Sequence, residues 1–308
     1  MNPLEAGIIP AREFSLARYR FHLVTTRNFD LPANKGALFH GGLGWMLRDL
    51  APDAYRFLYS QEEKHKGMTL PRPFVISPPL DGQVHFRPGM HLYFDLTLFG
   101  EATALFPACF RAVSALGDKG LGRDRGTYRI ARVEEIRVPV SRVIYDETTR
   151  KWQDPGPALT WNEIIAECSG HMASWITIEC LTRLRIKEDN RLVKGILPFR
   201  VLLERLLGRL ELLGRAYQGC ALLDREEKHA LLARASHVKI SENSLFWSDW
   251  SRFSGSQRKW MKFGGLLGSI TYSGNVGIFL PYLALGQWVH VGGKSTFGLG
   301  AYRMVSGE

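Results

Sequence analysis

The same local pattern occurs twice in this chain of 308 residues. Residues 117–122 read Gly-Asp-Lys-Gly-Leu-Gly and are soon followed by Tyr-Arg; residues 292–300 contain four glycines and a lysine and are also followed by Tyr-Arg. In both places a helical stretch comes before the glycine turn and a strand comes after it. This recurrence indicates a tandem duplication, so it restricts the fold to two similar units.

Hydrophobic periodicity gives the order of elements within each unit. Residues 18–25 and 175–187 alternate between two faces, which predicts half-buried strands. Helices are predicted after them at 35–50 and, with a leucine stripe, from Pro198 onward. In the first unit, residues 85–100 predict a strand pair that turns at Gly89, followed by a helix at 101–116 and a strand at 127–138.

The order strand, helix, strand, strand, helix, strand is typical of a ferredoxin-like unit. We therefore predict an α+β fold of tandem ferredoxin-like (RRM-like, βαββαβ) domains. The Pro-Gly-Pro stretch at 155–157 predicts the boundary, with one domain at 1–157 and the other at 158–308.

The chain is basic, with 40 Lys and Arg against 30 Asp and Glu, a net charge of +10 and a pI near 9.6. This balance favours nucleic acid or another polyanion as partner, and it carries no information on the fold. A basic enzyme that binds no polyanion is the alternative.

The four cysteines have no zinc-knuckle spacing and form no disulfide framework, so we expect buried thiols in a reducing cytoplasm. No signal-peptide pattern is present at the amino terminus. Residues 263–293 lack Asp, Glu, Lys and Arg, but a Ser-Gly-Asn break and Pro281 favour a buried strand, a turn and a buried helix over a membrane span.

The glycine-rich loop at 292–300 predicts an anion site. Successive backbone N–H groups in such a turn form a nest for anions, and a lysine adds a charge suited to phosphate. The RNA-binding residues predicted here are His290, Gly292, Gly293, Lys294, Ser295, Thr296, Phe297, Gly298 and Gly300.

Aromatic and cationic residues also alternate at 246–263, a composition that suits single-stranded RNA. The candidates for RNA contact are Arg252, Arg258 and Lys259. A β-hairpin whose rings lie in the core is the equal alternative.

Segments 264–303 and 31–41, together with the duplication, resemble the CRISPR precursor-RNA-processing endoribonucleases of the repeat-associated (RAMP) superfamily. The resemblance implies metal-independent cleavage of CRISPR repeat RNA by a ribose 2′-hydroxyl, leaving a 2′,3′-cyclic phosphate. It implies a histidine on or beside the first helix and a carboxyl-terminal glycine loop that contacts RNA. CRISPR repeat RNA is the implied partner, and a CRISPR effector complex is a further one.

Two other functions remain open. The same superfamily contains non-catalytic RNA-binding subunits of effector complexes. A basic metabolic enzyme that binds a nucleotide at the glycine loop is the third interpretation.

His40 is the predicted catalytic residue, because imidazole suits proton transfer near neutral pH. Lys35 and Arg48 on the same helix are the candidate partners of the phosphate. The alternatives are a packed histidine and two solvated helix-end charges. His290 has its own alternative, a histidine at the end of a helix that bonds a carbonyl. No metal-binding motif is present, so no cofactor is expected.

Overall fold

The computed structural model describes residues 14–60, 64–65, 68–166, 168, 172–219, 221–254 and 259–308. Each half of the chain builds one antiparallel sheet with helices packed against it. The fold is the predicted tandem of ferredoxin-like units.

The described residues of the first half form three helices and eleven strands: α1 (Gly36–Leu50), α2 (Pro52–Tyr59), α3 (Phe106–Lys119), β1 (Ser15–Thr25), β2 (Phe29–Asp30), β3 (Lys64–His65), β4 (Met68–Thr69), β5 (Phe74–Ser77), β6 (His85–Phe86), β7 (His91–Phe99), β8 (Tyr128–Ile136), β9 (Arg142–Asp146), β10 (Lys151–Trp152) and β11 (Leu159–Thr160). The four strands of the ferredoxin-like unit lie in the order β8-β1-β7-β5, and the β9-β10 hairpin extends the sheet beyond β8.

Strand β1 lies at the centre of this sheet because its alternation is strict. Tyr19 and Phe21 fall on the same face and are fully buried. Phe106 at the start of α3 stacks on Tyr19, with 3.8 Å between ring centroids. This contact fixes α3 against the sheet.

In the second half, the part of the chain that the structure describes forms four helices and nine strands: α4 (Trp161–Ile165), α5 (Phe199–Tyr217), α6 (Arg225–Ala235), α7 (Leu280–Val289), β12 (Trp175–Leu184), β13 (Lys187–Glu188), β14 (Arg191–Leu192), β15 (Lys239–Asn243), β16 (Phe246–Ser248), β17 (Ser251–Ser254), β18 (Lys259–Lys262), β19 (Gly265–Ser273) and β20 (Tyr302–Gly307). Its sheet has the order β15-β19-β12-β20, which repeats that of the first half in connectivity. The β17-β18 hairpin is inserted before β19.

Polar contacts join the two halves along α5 and α7. Arg18 of β1 donates to the carbonyls of Gln287 and Trp288 at 2.9 and 3.1 Å, and the Tyr217 hydroxyl donates to the Pro71 carbonyl at 2.9 Å. These bonds hold the carboxyl-terminal glycine-rich loop against the first helix of the other half.

One predicted strand pair is wrong. Residues 85–100 contain β6 and β7, but β6 pairs with β2, and β7 lies between β1 and β5. The second strand of the unit is instead β5, in which three consecutive buried residues show no alternation and the last residue, Ser77, is half-buried. The next helix begins at Phe106, after a 3-10 turn at Gly100–Leu105.

Residues 263–293 form β19, a turn and α7, as the sequence predicted. No helix within the described ranges is both long and apolar enough to cross a membrane. Cys109 and Cys180 are buried free thiols, and Cys220 lies outside the described residues.

Candidate active site

Helix α1 and the glycine-rich loop meet at the centre of the molecule. A Cβ built on Gly36, the first residue of α1, would lie 2.1 Å from the carbonyl oxygen of Phe297. Only glycine therefore permits this approach. The close contact places the next turn of α1, which carries His40, directly beside the loop.

The imidazole of His40 lies in an aromatic setting. It stacks on the Phe297 ring with 4.0 Å between centroids, and the Tyr59 ring meets it edge-on at 5.0 Å. The Tyr59 hydroxyl donates to the His40 carbonyl at 2.7 Å, which fixes the backbone of this turn. His40 is 8% exposed, so its ring is covered in this structure.

Arg72 is the polar partner of the imidazole. It follows Pro71 and comes just before β5, and its Nη1 lies 2.9 Å from His40 Nε2. A guanidinium can only donate, so Nε2 accepts and the neutral imidazole has its proton on Nδ1. Sequence analysis missed Arg72, because a single arginine between two prolines, 32 positions from His40, gives no local signal.

Two more cations surround this pair. The Arg252 guanidinium lies 5.8 Å from the centre of the Phe297 ring, and Lys294 Nζ lies 5.8 Å from the same ring and 4.6 Å from that of Phe263. Burial, and then the positive charges of Arg72, Arg252 and Lys294, lower the pKa of His40 well below its usual 6.5. The site therefore combines a neutral base with three positive charges.

Three cavities follow one another around this point. The largest, about 960 Å³, is lined by Arg72, Lys294 and α5; the next, about 190 Å³, by Gly36; the third, about 620 Å³, by Arg252 and the outer face of α1. Phe297 lines the first and second, and Trp250 lines the second and third. Neighbouring cavities thus share a lining side chain, and together they are called the cleft below; His40 lines none of the three, and Phe297, which stacks on its ring, lines two.

Two family models match this chain, one in each half. Residues 178–302, which include the glycine-rich loop, match the family model described as CRISPR-associated endoribonuclease Cas6, and residues 14–157 match an AF_1859 N-terminal domain model. The carboxyl-terminal part of the chain is thus similar to this endoribonuclease family.

Solved structures of Cas6 and RAMP proteins share the fold over nearly the whole chain. A Cas6 product complex is 17% identical and has a TM-score of 0.61, with coverage of 94% of this chain and 100% of the other. Thermus thermophilus Cas6 is 18% identical with a TM-score of 0.59, covering 96% and 100%. A RAMP protein binding different RNA substrates is 13% identical with a TM-score of 0.50, covering 94% and 99%. A search of curated proteins gave no match.

Lys35 and Arg48, the other two residues predicted for catalysis in this Cas6-like chain, have no contact with His40 among the contacts of the described residues. Lys35 is fully buried: its Nζ lies 5.6 Å from the Phe86 ring centre and 3.7 Å from Asp81 Oδ1, and within the described part of the chain it has no hydrogen-bond partner. A fully covered ammonium cannot serve as an open phosphate ligand, so that prediction is wrong for this structure. Arg48 lies on the exposed surface of α1, with its Nε 3.6 Å from Asp49 Oδ1.

His290 is structural, as the alternative interpretation held. It ends α7 and is 1% exposed; Nδ1 donates to the Leu299 carbonyl at 3.2 Å, and Nε2 lies 3.1 Å from the Ser77 hydroxyl. Burial, with Arg18 and Arg209 nearby, lowers its pKa to about 3. The prediction that it contacts RNA is wrong for this structure.

The glycines of the loop mainly allow close packing. Cβ atoms on Gly292, Gly298 and Gly300 would lie 2.5 Å or less from the Arg185 carbonyl, Pro78 and the Val291 carbonyl. Ser295, Thr296, Gly298 and Gly300 are buried, whereas Gly292, Lys294 and Phe297 are half-buried and Gly293 is exposed. Of the loop residues predicted to bind RNA, only those of the second group are open to a ligand.

The second stretch predicted to contact RNA, residues 246–263, is only partly described. Arg252 lies on β17 and lines the cleft, as a contact residue should. Lys259 begins β18, and Arg258 lies outside the described residues. Within the described residues, no group of three His, Cys, Asp and Glu side chains could hold a metal ion.

Proposed function

We propose that this protein processes CRISPR precursor RNA as an endoribonuclease, with His40 as its general base and no metal in the reaction. The single observation that carries the proposal is the position of His40: a neutral imidazole stacked on Phe297 of the glycine-rich loop, with Arg72, Arg252 and Lys294 around it. The match of residues 178–302 to the Cas6 family model supports the choice of CRISPR repeat RNA as substrate.

In the proposed reaction, His40 Nε2 takes the proton of a ribose 2′-hydroxyl. The 2′-oxygen forms a bond to the adjacent phosphorus, and the bond from phosphorus to the 5′-oxygen breaks. The products are a 2′,3′-cyclic phosphate and a 5′-hydroxyl, whose oxygen gains a proton. Arg72 and Lys294 are placed to stabilise the extra negative charge on the phosphorane oxygens.

The reaction requires two movements. Arg72 has to leave Nε2, since one lone pair cannot accept from the guanidinium and from the 2′-hydroxyl together. Phe297 has to uncover the ring that it now stacks on. A phosphate is a stronger partner for arginine than a neutral imidazole, so substrate binding itself supplies the reason for the first movement.

The direct test is cleavage of the cognate repeat RNA in EDTA. We expect one cut, with a cyclic phosphate on the upstream fragment. His40→Ala should lower the single-turnover rate about 10²–10⁴-fold. Its affinity for repeat RNA with a 2′-deoxy sugar at the cut should stay at the wild-type level. Cleavage that needs Mg²⁺, or a His40→Ala enzyme as fast as the wild type, rules the proposal out.

A non-catalytic RNA-binding subunit of an effector complex is the second candidate. The covered His40 ring and its occupied Nε2 favour it, since both would suit a protein that never deprotonates its ligand. This candidate predicts tight binding of the repeat RNA and no cleavage in the same assay. Both candidates bind RNA in the same cleft. In both, the boundary between the two proposed domains follows residue 157.

A further inference from the structure

Helix α5 faces the glycine-rich loop across the 960 Å³ cavity, hereafter the α5 cavity. It is lined by Arg72 and Lys294 on the side of His40 and by Arg205, Arg209 and Lys187 on the side of α5. Only two acidic residues line it, Glu204 and Glu211. Glu211 already pairs with Arg215 and Lys228, at 3.0 and 2.8 Å, so it neutralises little of the remaining charge.

Two arginines of this cavity have donors without an acceptor. Arg209 Nε donates to the Val289 carbonyl at 2.9 Å, but its Nη2 is buried and has no hydrogen-bond partner among the described residues. Arg72 bonds His40 through Nη1, whereas its buried Nε has none. Leaving a buried donor without an acceptor destabilises the fold, so two such donors beside one cavity point to an acceptor that binds there.

The occupant has to bring negative charge and hydrogen-bond acceptors into a space that opens onto the reaction site. Phosphate groups of an RNA strand do both, and arginine matches their geometry. The cavity volume lies at the upper end of the range for ligand pockets, about 300–1,000 Å³. Because Arg72 and Phe297 belong both to this cavity and to the surroundings of His40, a strand bound here continues directly into the site.

We infer that the α5 cavity holds the backbone phosphates of the repeat RNA on one side of the scissile linkage, with Arg205 and Lys187 at its outer end and Arg209 and Arg72 at its inner end. The inference rests on the proposed function for the identity of the substrate. It adds a binding region on α5, where the sequence analysis predicted no RNA contact. The other flank then follows the opposite arm of the cleft, past Arg252.

The test combines charge reversal with RNA truncation. Lys187→Glu/Arg205→Glu changes two exposed residues of the cavity, so the protein should still fold. Arg191→Glu/Arg225→Glu is the matched control: both residues are exposed, neither lines the cavity, and the change in net charge is the same. Affinities are measured over a range of KCl concentrations for the full repeat RNA and for nested truncations from each end.

We expect the cavity variant to bind the full repeat about tenfold more weakly than the control. Its plot of log K against log[salt] should be shallower, with a slope about 1.4 smaller in magnitude, because two phosphate contacts are lost and each single-strand contact contributes about 0.7. The loss should vanish once the RNA is shortened from one end and persist when it is shortened from the other. An unchanged slope, or the same loss on both truncation series, overturns the inference.

The readout is binding, so it does not depend on cleavage. If the wild-type protein binds with the expected pattern but never cuts, the proposed function fails and the α5 cavity remains an RNA site. If it cuts while the cavity variant binds as the control does, only the inference about the cavity fails.

Discussion

Arg72 Nη1 lies 2.9 Å from His40 Nε2, so the guanidinium occupies the nitrogen that would receive the proton of the substrate in the proposed reaction. Burial, with the positive charge of Arg72 second, holds the pKa of His40 well below 6.5. The contact thus favours the neutral form of the imidazole.

Replacement of Arg72 by alanine should move the pH profile of cleavage. Loss of the neighbouring charge raises the pKa of His40, so the base becomes protonated at a higher pH. The acid limb of kcat/KM should therefore shift upward, and the rate at pH 8 should fall about 10²-fold through lost charge stabilisation. Single-turnover rates between about pH 5 and 9 measure both effects.

Arg72→Lys separates charge from shape. The lysine ammonium should keep the pKa of His40 low, so the acid limb of kcat/KM should stay at low pH, although lysine lacks the planar fork of arginine. Arg111→Ala, on the exposed side of α3, is the control and should leave the profile unchanged. An acid limb at the same pH in wild type and Arg72→Ala would falsify the role assigned to this contact.

Lys35→Met tests whether the buried lysine has any part in catalysis. Burial lowers the pKa of Lys35, and Asp81, its acidic neighbour, is half exposed. Replacing a poorly paired buried charge with an apolar side chain of similar length should leave the free energy of unfolding unchanged or raise it by about 1 kcal/mol. Cleavage should stay within about twofold, because removal of a fully covered ammonium takes no charge from an open phosphate site.

Urea unfolding and single-turnover cleavage of the same Lys35→Met preparation provide the measurements. Asp81→Asn is the companion variant: it leaves the ammonium without its counter-charge and should destabilise the protein. If Lys35→Met binds RNA normally but stops cutting, Lys35 returns to the catalytic site.

The tandem fold was predictable because its signals are local. Alternation in β1 and β12 and the leucine stripe of α5 each lie within one element, and the repeated glycine turns could be compared directly. Strand β5 was missed because its first three residues, 74–76, are all buried and do not alternate, which resembles any short apolar run. The pairing of β6 with β2 depends on residues more than 50 positions apart, so the sequence placed it wrongly.

The site was predictable only in part, for a related reason. His40 and Phe297 lay in two segments that the family resemblance singled out, and the fold stacks them on each other. Arg72 had no such signal, since its position depends on how β5 packs against the loop. Lys35 and His290 were assigned to RNA because charge and position along the chain do not indicate burial, which tertiary packing decides.

The glycine-rich loop supplies a matched pair for stability. Gly300 has a φ of 77°, and a Cβ there would lie 1.9 Å from the Val291 carbonyl oxygen. Gly300→Ala should therefore cost about 3 kcal/mol, from left-handed strain and from displacement of the backbone. At exposed Gly293 the nearest atom would be 3.7 Å away, so Gly293→Ala should change stability by less than about 0.5 kcal/mol.

Urea unfolding at pH 7.5 compares the two glycine variants. Equal losses of stability would mean that the loop does not depend on the close backbone approach at Gly300.

His290→Asn should make the protein less sensitive to acid. His290 is buried and neutral, with a pKa near 3 against 6.5 in the unfolded chain. Between these values the unfolded chain binds a proton that the folded protein does not, so the contribution of His290 is complete above pH 6.5 and is lost as the pH falls toward 3. At pH 5 the wild type should have lost about 2 kcal/mol through this group.

Asparagine at position 290 can still donate to the Leu299 carbonyl but does not titrate. The free energy of urea unfolding, measured at pH 7.5 and 5.0, should therefore fall by about 2 kcal/mol less in the variant than in the wild type. Equal losses in the two proteins would show that His290 is not the group that couples folding to protons, and His40, a second buried histidine with a lowered pKa, would be the next residue to replace.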